Sequence, residues 1–295
     1  MKGESLAIIG AGKVGTAIGY LLQRAGYRVV ALADISEEAL ERGGRHTGGQ
    51  PCKDPAEAAK KAEAIFITTV DDAIKSVCDS MAEKGALGPG KRVIHTSGAG
   101  GLDLLDSARN TGAGIASIHP LQTFADIESA VRSIPGSTFS ITAGDDVRDW
   151  AIRLVSDIGG VPFLLADEDK PLYHAAACFA SNYLVSLMEI VASLYGKVGL
   201  SPEDVLRSVQ PLVRGTINNI FEKGVEASLT GPITRGDITT VRKHLNALSE
   251  KTPVFLEPYR RLGLVALSMA LKKGAVSRER AEELEALLKG DERNE

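Results

Sequence analysis

The chain is poor in the features that mark several large protein classes. It has three cysteines in 295 residues, Cys52, Cys78 and Cys178, widely spaced and without a C-x-x-C pair. That odd, scattered set excludes a disulfide framework and a cysteine zinc site, and it fits a reduced, cytoplasmic compartment. No run of about 18 apolar residues occurs, so no membrane span is expected; the longest run, LGLVALSMAL from Leu262, reads as a buried helix. The opening MKGESLAIIGAGKVG holds only a short apolar run before Gly10, too short for a signal peptide. There is no excess of basic charge either. With 34 Lys and Arg against 38 Asp and Glu, the net charge is −4, so a nucleic-acid partner is not expected. Repeats, low-complexity linkers and long charge runs are absent, and no metal site is expected. What remains is 44% apolar and 24% charged, the composition of a soluble globular protein long enough to divide into two domains.

Along the first half, short apolar runs alternate with helical patterns. LAIIG, RVVALAD, EAIFITTV, KRVIHTSG, GAGIASIHP, STFSITAG and VPFLLAD read as strands. Between them lie helices such as VGTAIGYLLQRAG, closed by Gly26, and SEEALERGG, capped by Ser36 and stopped at Gly43. In DPAEAAKKA, Asp54 caps and Pro55 takes the first position. Strands alternating with helices imply a mostly parallel, helix-covered sheet. From Asp167 the strand signal stops. KPLYHAAACFASNYLVSLMEIVASLYGKVG reads as one long helix or two, stopped at Gly199. Four further helical segments follow, one opened by Ser201 and Pro202. The expected organisation is an α/β Rossmann domain over residues 1–166 and an all-α domain over 167–295. The last residues, GDERNE, are expected to fray.

GAGKVG sets Gly10, Gly12 and Gly15 in G-x-G-x-x-G spacing after a strand and at the start of a helix. Asp34 ends the next strand about 20 residues on. Together they form the dinucleotide fingerprint. Gly10 permits the tight turn, Gly12 lets the backbone approach a pyrophosphate, and Gly15 lets helix and strand pack closely. Lys13 and Val14 open the helix whose free N–H groups and dipole favour an anion. Asp34 would bind the adenosine ribose and repel a 2′-phosphate, which favours NAD over NADP; Arg42 and Arg45 nearby are the cations that could offset it. The loops TTVDDAI and HTSGAGG end the following strands, so Ser97 is expected along the cofactor and the substrate. Asp71 and Asp72 also read as helix caps.

A nicotinamide cofactor, NAD(P)H, requires a group that polarises or protonates the substrate. Three places offer one. His119 ends a strand in SIHPLQTFAD, followed by Pro120 and by Gln122, a candidate for hydrogen bonds to substrate. DKPLYHAAACFASNYL brings Lys170 and His174 four residues apart, with His174, Cys178, Ser181 and Asn182 on one helical face and Tyr173 off that line. In LTGPITRGDITTVRKHL, Arg235 projects from an irregular loop, and its bidentate fork suits a substrate carboxylate; Asp237 is the cap of the next helix. Each has a structural reading too: His119 and His95 as strand-end packing, Lys170 as a surface lysine, Arg235 as an ion-pair partner.

GAGKVGTA, HTSGAGGLDLL, SIHPLQTF, YHAAACFASNYLVSL and LTGPITRGD together resemble a bacterial family of Rossmann-like oxidoreductases whose helical C-terminal domain was long known only as a domain of unknown function. That family is similar to the 6-phosphogluconate dehydrogenase-like superfamily. The superfamily includes pyrroline-5-carboxylate reductase, prephenate dehydrogenase, β-hydroxyacid dehydrogenases and ketopantoate reductase. The resemblance implies an NAD(P)-dependent oxidoreductase, and some members resemble an alternative class of ketopantoate reductase in pantothenate synthesis. Lys170 and Asn182 resemble in type the lysine and asparagine that open the helical domain of ketopantoate and β-hydroxyacid enzymes. Their spacing exceeds the K-x-x-x-N of the latter, and His174 stands where that asparagine would be, a rival proton donor to Lys170. SIHP is similar to the His-Pro of prephenate dehydrogenases. Family members commonly end the second strand with Ser-Arg, suited to NADP; Asp34 here implies NAD.

The resulting expectation is a reductase of a small α-keto or imino acid, with 2-dehydropantoate as the first choice. Lys170, His174, His119 and Asn182 would be its catalytic group, Arg235, Ser97 and Gln122 its substrate contacts, and a homodimer its assembly. The alternatives are a pyrroline-5-carboxylate or imine reductase, a prephenate-type dehydrogenase, or a dinucleotide-binding sensor without turnover.

Overall fold

A computed structural model describes residues 3–290. The expected frayed end lies outside the described residues from position 291 onward, and Gly290 closes the last helix as a left-handed cap. The chain divides into two compact units, residues 1–182 and 183–295.

In the first unit the alternating pattern becomes β1 (Ser5–Ile9), α1 (Lys13–Arg24), β2 (Arg28–Ala33), α2 (Glu37–Thr47), β3 (Gln50–Cys52), α3 (Pro55–Lys60), β4 (Ala64–Ile67), α4 (Asp71–Glu83), β5 (Arg92–His95), α5 (Asp106–Asn110), β6 (Gly114–Pro120), α6 (Ile127–Ser133), β7 (Thr138–Ala143), α7 (Asp145–Asp157), β8 (Val161–Leu164) and α8 (Lys170–Ala180). The eight strands form one sheet in the order β3-β2-β1-β4-β5-β6-β7-β8. β1 to β6 are mutually parallel, β7 runs antiparallel to β6, and β8 follows β7. The carboxyl ends of β1, β2, β4, β5 and β6 therefore meet on one edge, where ligands of open α/β sheets sit.

The central strands are buried on both faces because successive side chains feed opposite layers. Leu6, Ile8, Phe66, Ile94 and Ile118 join α1, α6 and α7 in one core, while Ala7, Ile9, Ile65, Ile67 and Val93 join α3 and α4 in the other.

The sequence reading missed three details here. β3 carries Pro51, tolerable because β3 is an edge strand. α6 opens with a reciprocal capping box between Asp126 and Ser129. α2 runs past Gly43 to a left-handed cap at Gly48; Gly43 packs inside the helix, where a Cβ would meet Ala11 and Leu32 at 3.2 Å.

The second unit is helical: α9 (Asn182–Gly196, whose first residue closes the first unit), α10 (Pro202–Lys223), α11 (Val225–Ser228), α12 (Ile238–Lys251), α13 (Leu256–Lys272) and α14 (Arg278–Lys289). Ser201 and Asp237 cap α10 and α12 as expected. Its core is Val241, Leu245, Leu267, Ala281, Leu284 and Leu288. The helical part does start near residue 167, but α8 counts with the first unit, so the compact division falls after Asn182 rather than at 166.

Two expectations about apolar runs need correction. LGLVALSMAL lies in α13 and is only half-buried, with Leu262 and Val265 exposed. Asp167–Gly196, in which an 18-residue window reaches a mean hydropathy of 1.5, is long and apolar enough by length and composition to cross a membrane. A search for uninterrupted runs passes over it because Lys170, His174, Asn182 and Glu189 interrupt it. The stretch is not one rod, however. Ser181 breaks it at φ −122° and ψ −69°, and Lys170 is buried among polar partners of the first unit. α9 alone spans about 22 Å, short of the roughly 30 Å hydrocarbon layer.

Candidate active site

The glycine loop leaves β1 at Gly10, whose φ of +102° and close approach to Thr68 exclude a side chain. A Cβ on Gly15 would lie 2.3 Å from the Gly10 carbonyl. Gly12 is different: a Cβ there would meet nothing within 4 Å. No packing within the chain requires its bareness, so it is the backbone approach that a bound anion would use. The first turn of α1 has no side-chain cap and no acidic residue; Lys13 and Val14 open it. Asp34 accepts the Ala11 N–H at 2.6 Å and the Ser36 N–H at 2.8 Å, so it braces the loop as well as facing the edge. Together these residues fit a dinucleotide.

The β5 loop is built by a buried network. The Ser97 N–H donates to His95 Nδ1 at 3.1 Å, which places the ring proton on Nε2, donating to the Gly101 carbonyl at 3.1 Å. His95 is fully buried, and burial, helped by the charge of Lys170, pushes its pKa down to about 4. It is a neutral loop staple. The Ser97 hydroxyl donates to Asp71 at 2.7 Å and accepts the Gly100 N–H at 2.9 Å. Asp71 thus ties two ligand-edge loops together; it does not cap α4, whose cap position is Val70. Asp167 adds a third tie by accepting the Leu102 N–H through both oxygens at 3.1 Å.

α8 closes on this edge. Lys170, Tyr173 and His174 are spaced i, i+3, i+4 and share the inward face. Lys170 is fully buried, donating to the Ser97 carbonyl at 3.1 Å and to Ser117 Oγ at 2.7 Å. Burial pushes its pKa down to about 8, with Asp167 and Asp71 opposing. His119, in the last residues of β6, meets Tyr173 and His174 edge-on, at centroid distances of 5.7 and 5.8 Å. Burial, then the neighbouring His174 and Lys170, hold its pKa down to about 4. A methyl group on Gly98 would sit 2.4 Å from His174 Nδ1 and 2.9 Å from His119 Nε2. Both ring nitrogens therefore converge on one spot beside Gly98. His174 Nδ1 is buried there without a hydrogen-bond partner.

Lys170, His119, His174 and Ser97 are thus brought together. Gln122 turns to the loop instead, donating to Ser137 Oγ at 3.2 Å and accepting the Thr123 N–H at 2.8 Å. Asn182 lies past the break at Ser181, exposed at the start of α9. Arg235 is exposed in the second unit, on a loop whose turn is held by Asp237 N–H to the Pro232 carbonyl at 2.9 Å. Tyr173 and Ser117 were not singled out from sequence. Tyr173 was placed off the active face by counting from His174; counting three residues from Lys170 puts it on that face.

Residues 3–120 match the family model of a Rossmann-like domain, and residues 137–265 match that of DUF2520, a domain of unknown function. No curated protein matches the chain. Several solved structures share the fold. A candidate NADP oxidoreductase from Bacteroides fragilis is 21% identical, with 90% of this chain and 99% of that one covered and a TM-score of 0.73. A protein from Thermotoga maritima is 24% identical, covering 91% and 99%, with a TM-score of 0.70. The NADP-bound pyrroline carboxylate reductase of Plasmodium falciparum is 17% identical, covering 97% and 99%, with a TM-score of 0.60.

Proposed function

The chain belongs to the family that joins a Rossmann-like domain to the DUF2520 domain, and on that premise we propose that it is a nicotinamide-dependent reductase of a small keto or imino acid. The observation that carries this reading is the convergence of His119 Nε2 and His174 Nδ1 beside Gly98, on the strand edge that also bears the glycine loop. A reduced nicotinamide, when bound, supplies the reducing equivalents that a carbonyl or imine carbon accepts.

The chain's own residues bind, orient and polarise. Gly12 and the uncapped first turn of α1 hold the pyrophosphate, and Asp34 holds the ribose. His119, neutral at physiological pH, donates a hydrogen bond without carrying charge, as an uncharged electrophile for a carbonyl oxygen does. His174 offers a second ring nitrogen to the same substrate atom. Lys170 seats α8 on Ser97 and Ser117, and its charge adds to burial and to His174 in keeping His119 unprotonated; its role is positioning rather than proton donation. Asn182 is a proposed orienting group.

2-Dehydropantoate is the first substrate to test, from the resemblance of SIHPLQTF and its companion motifs. A cyclic imino acid is the second, because one similar structure is named a pyrroline carboxylate reductase. Asp34 supports NADH over NADPH. A second copy of the chain is the proposed partner, since Val185, Leu212 and Phe221 expose large apolar side chains.

The test is NADH and NADPH oxidation by the purified chain against a panel of α-keto and cyclic imino acids. Turnover is expected, and His119→Ala and His174→Ala should each lower kcat/KM about 100-fold with dinucleotide affinity kept. Dinucleotide binding without reduction of any panel member would instead support a sensor.

A further inference from the structure

Tyr173 has no place in the reading above, yet its hydroxyl lies within hydrogen-bond distance of the His119 ring. Tyr173 Oη and His119 Nδ1 lie 3.2 Å apart, with the two rings perpendicular. Ser140 stands directly across from His119 in the antiparallel β6–β7 pair. Its hydroxyl is buried against the Tyr173 phenol, without a formed hydrogen bond of its own. Burial also raises the pKa of Tyr173, so the phenol keeps its proton.

A neutral imidazole carries one N–H, and its partner decides which nitrogen holds it. Two arrangements are possible. In one, His119 Nδ1–H donates to Tyr173 Oη, and the phenol donates onward to Ser140. The Ser140 hydrogen is then a buried donor with no acceptor, which is costly. In the other, Ser140 Oγ–H turns to Tyr173 Oη and Tyr173 Oη–H donates to His119 Nδ1. Every internal donor then has an acceptor, and the only N–H left over is Nε2–H, on the ring edge that lies next to Gly98.

We propose that Tyr173 is a positioning residue: its hydroxyl donates to His119 Nδ1 and thereby keeps the ring proton on Nε2. The phenol holds its proton throughout and is not a relay. The benefit to turnover rests on the reductase reading above; the tautomer itself does not.

The test is side-chain 15N NMR of the full chain, which has five histidines assignable by single substitution. Wild-type His119 is expected to be protonated on Nε2 with Nδ1 as acceptor. In Tyr173→Phe an Nδ1–H fraction should appear, while His95, locked between the Ser97 N–H and the Gly101 carbonyl, should stay unchanged. Wild-type His119 protonated on Nδ1, or an unchanged Nε2–H ring in Tyr173→Phe, overturns the proposal. Should Tyr173→Phe not fold, Ser140→Ala takes away the acceptor that the first arrangement needs for the phenol, leaving His119 Nδ1 as its partner. His119 should then stay protonated on Nε2, and a rise in the Nδ1–H fraction overturns the proposal. With a working keto-acid assay, Tyr173→Phe should lower kcat about tenfold at unchanged dinucleotide KM, as loss of one ordinary hydrogen bond implies. If no substrate is turned over, the spectra still decide the tautomer, so the two failures are distinct.

Discussion

In the first unit all five residues of β1 and all four of β4 are buried, whereas in the second α9 fully buries none of its residues and α10 only Val205 and Val209. Both regions are apolar, but they use that character differently. A strand covered on two faces is apolar at nearly every position; in β1 only Ser5 is polar, and its hydroxyl donates to Glu63. The second unit keeps a small core of its own and presents Val185, Leu206, Leu212 and Phe221 outward. Apolar sequence therefore records burial in the first region and exposed apolar surface in the second.

The largest expected effect tests that contrast directly. Phe66 is 1% exposed between strand and helix layers, and Phe66→Ala should cost about 3–5 kcal/mol. Leu212, 68% exposed, should tolerate Leu212→Ala within about 0.5 kcal/mol. Urea unfolding followed by fluorescence serves for Phe66, because the single tryptophan, Trp150, is buried in α7 of the first unit; circular dichroism follows the helices for Leu212. Equal costs at the two sites would erase the distinction.

Acid should separate the regions next. His95 and His119 have native pKa values pushed down to about 4, from an ordinary 6.5. Between those values the unfolded chain binds more protons than the native one, so stability rises with pH across that window. It should fall as pH drops from 6.5 to 4, by at most about 3 kcal/mol for the fully buried His95. Lys170, pushed down to about 8 from 10.5, has the same sign, giving further stability as pH rises from 8 to 10.5. All three groups lie in the first unit. Trp150 fluorescence during acid titration should therefore change before the helical signal of the second unit. Simultaneous loss would show that the units unfold as one.

These groups also show how far the sequence was legible. The strands, the glycine loop and the outlying helices were readable because each is encoded locally, by an apolar period, a turn glycine or a cap. His119, Lys170 and His174 were readable as residue types at a strand end and on a helix. Their division of labour was not. Lys170 looked like a donor because a lysine near a cofactor can be one; only the fold reveals that its ammonium is occupied by Ser97 and Ser117, over 50 residues away in sequence. Ser97 looked like a ligand contact, but Asp71 and Gly100 occupy its hydroxyl. β3 and the capping box of α6 were passed over because a three-residue edge strand with a proline carries almost no period, and Asp126 was read only as part of a polar loop.

The smallest expected effect bears on the outward face of the second region. Val185 is 70% exposed on α9, so Val185→Gln removes no buried contact within the chain. The stability of the isolated chain, measured by circular dichroism at low concentration, should change by less than about 0.5 kcal/mol. If a second copy covers this face, the same substitution places a polar amide where water has been excluded and weakens association. Sedimentation velocity over a concentration series should then show wild type as a dimer and Val185→Gln shifted toward monomer at equal loading. A wild type that stays monomeric at every concentration removes the second copy as the partner. A dimer indifferent to Val185→Gln moves the interface to another part of the surface.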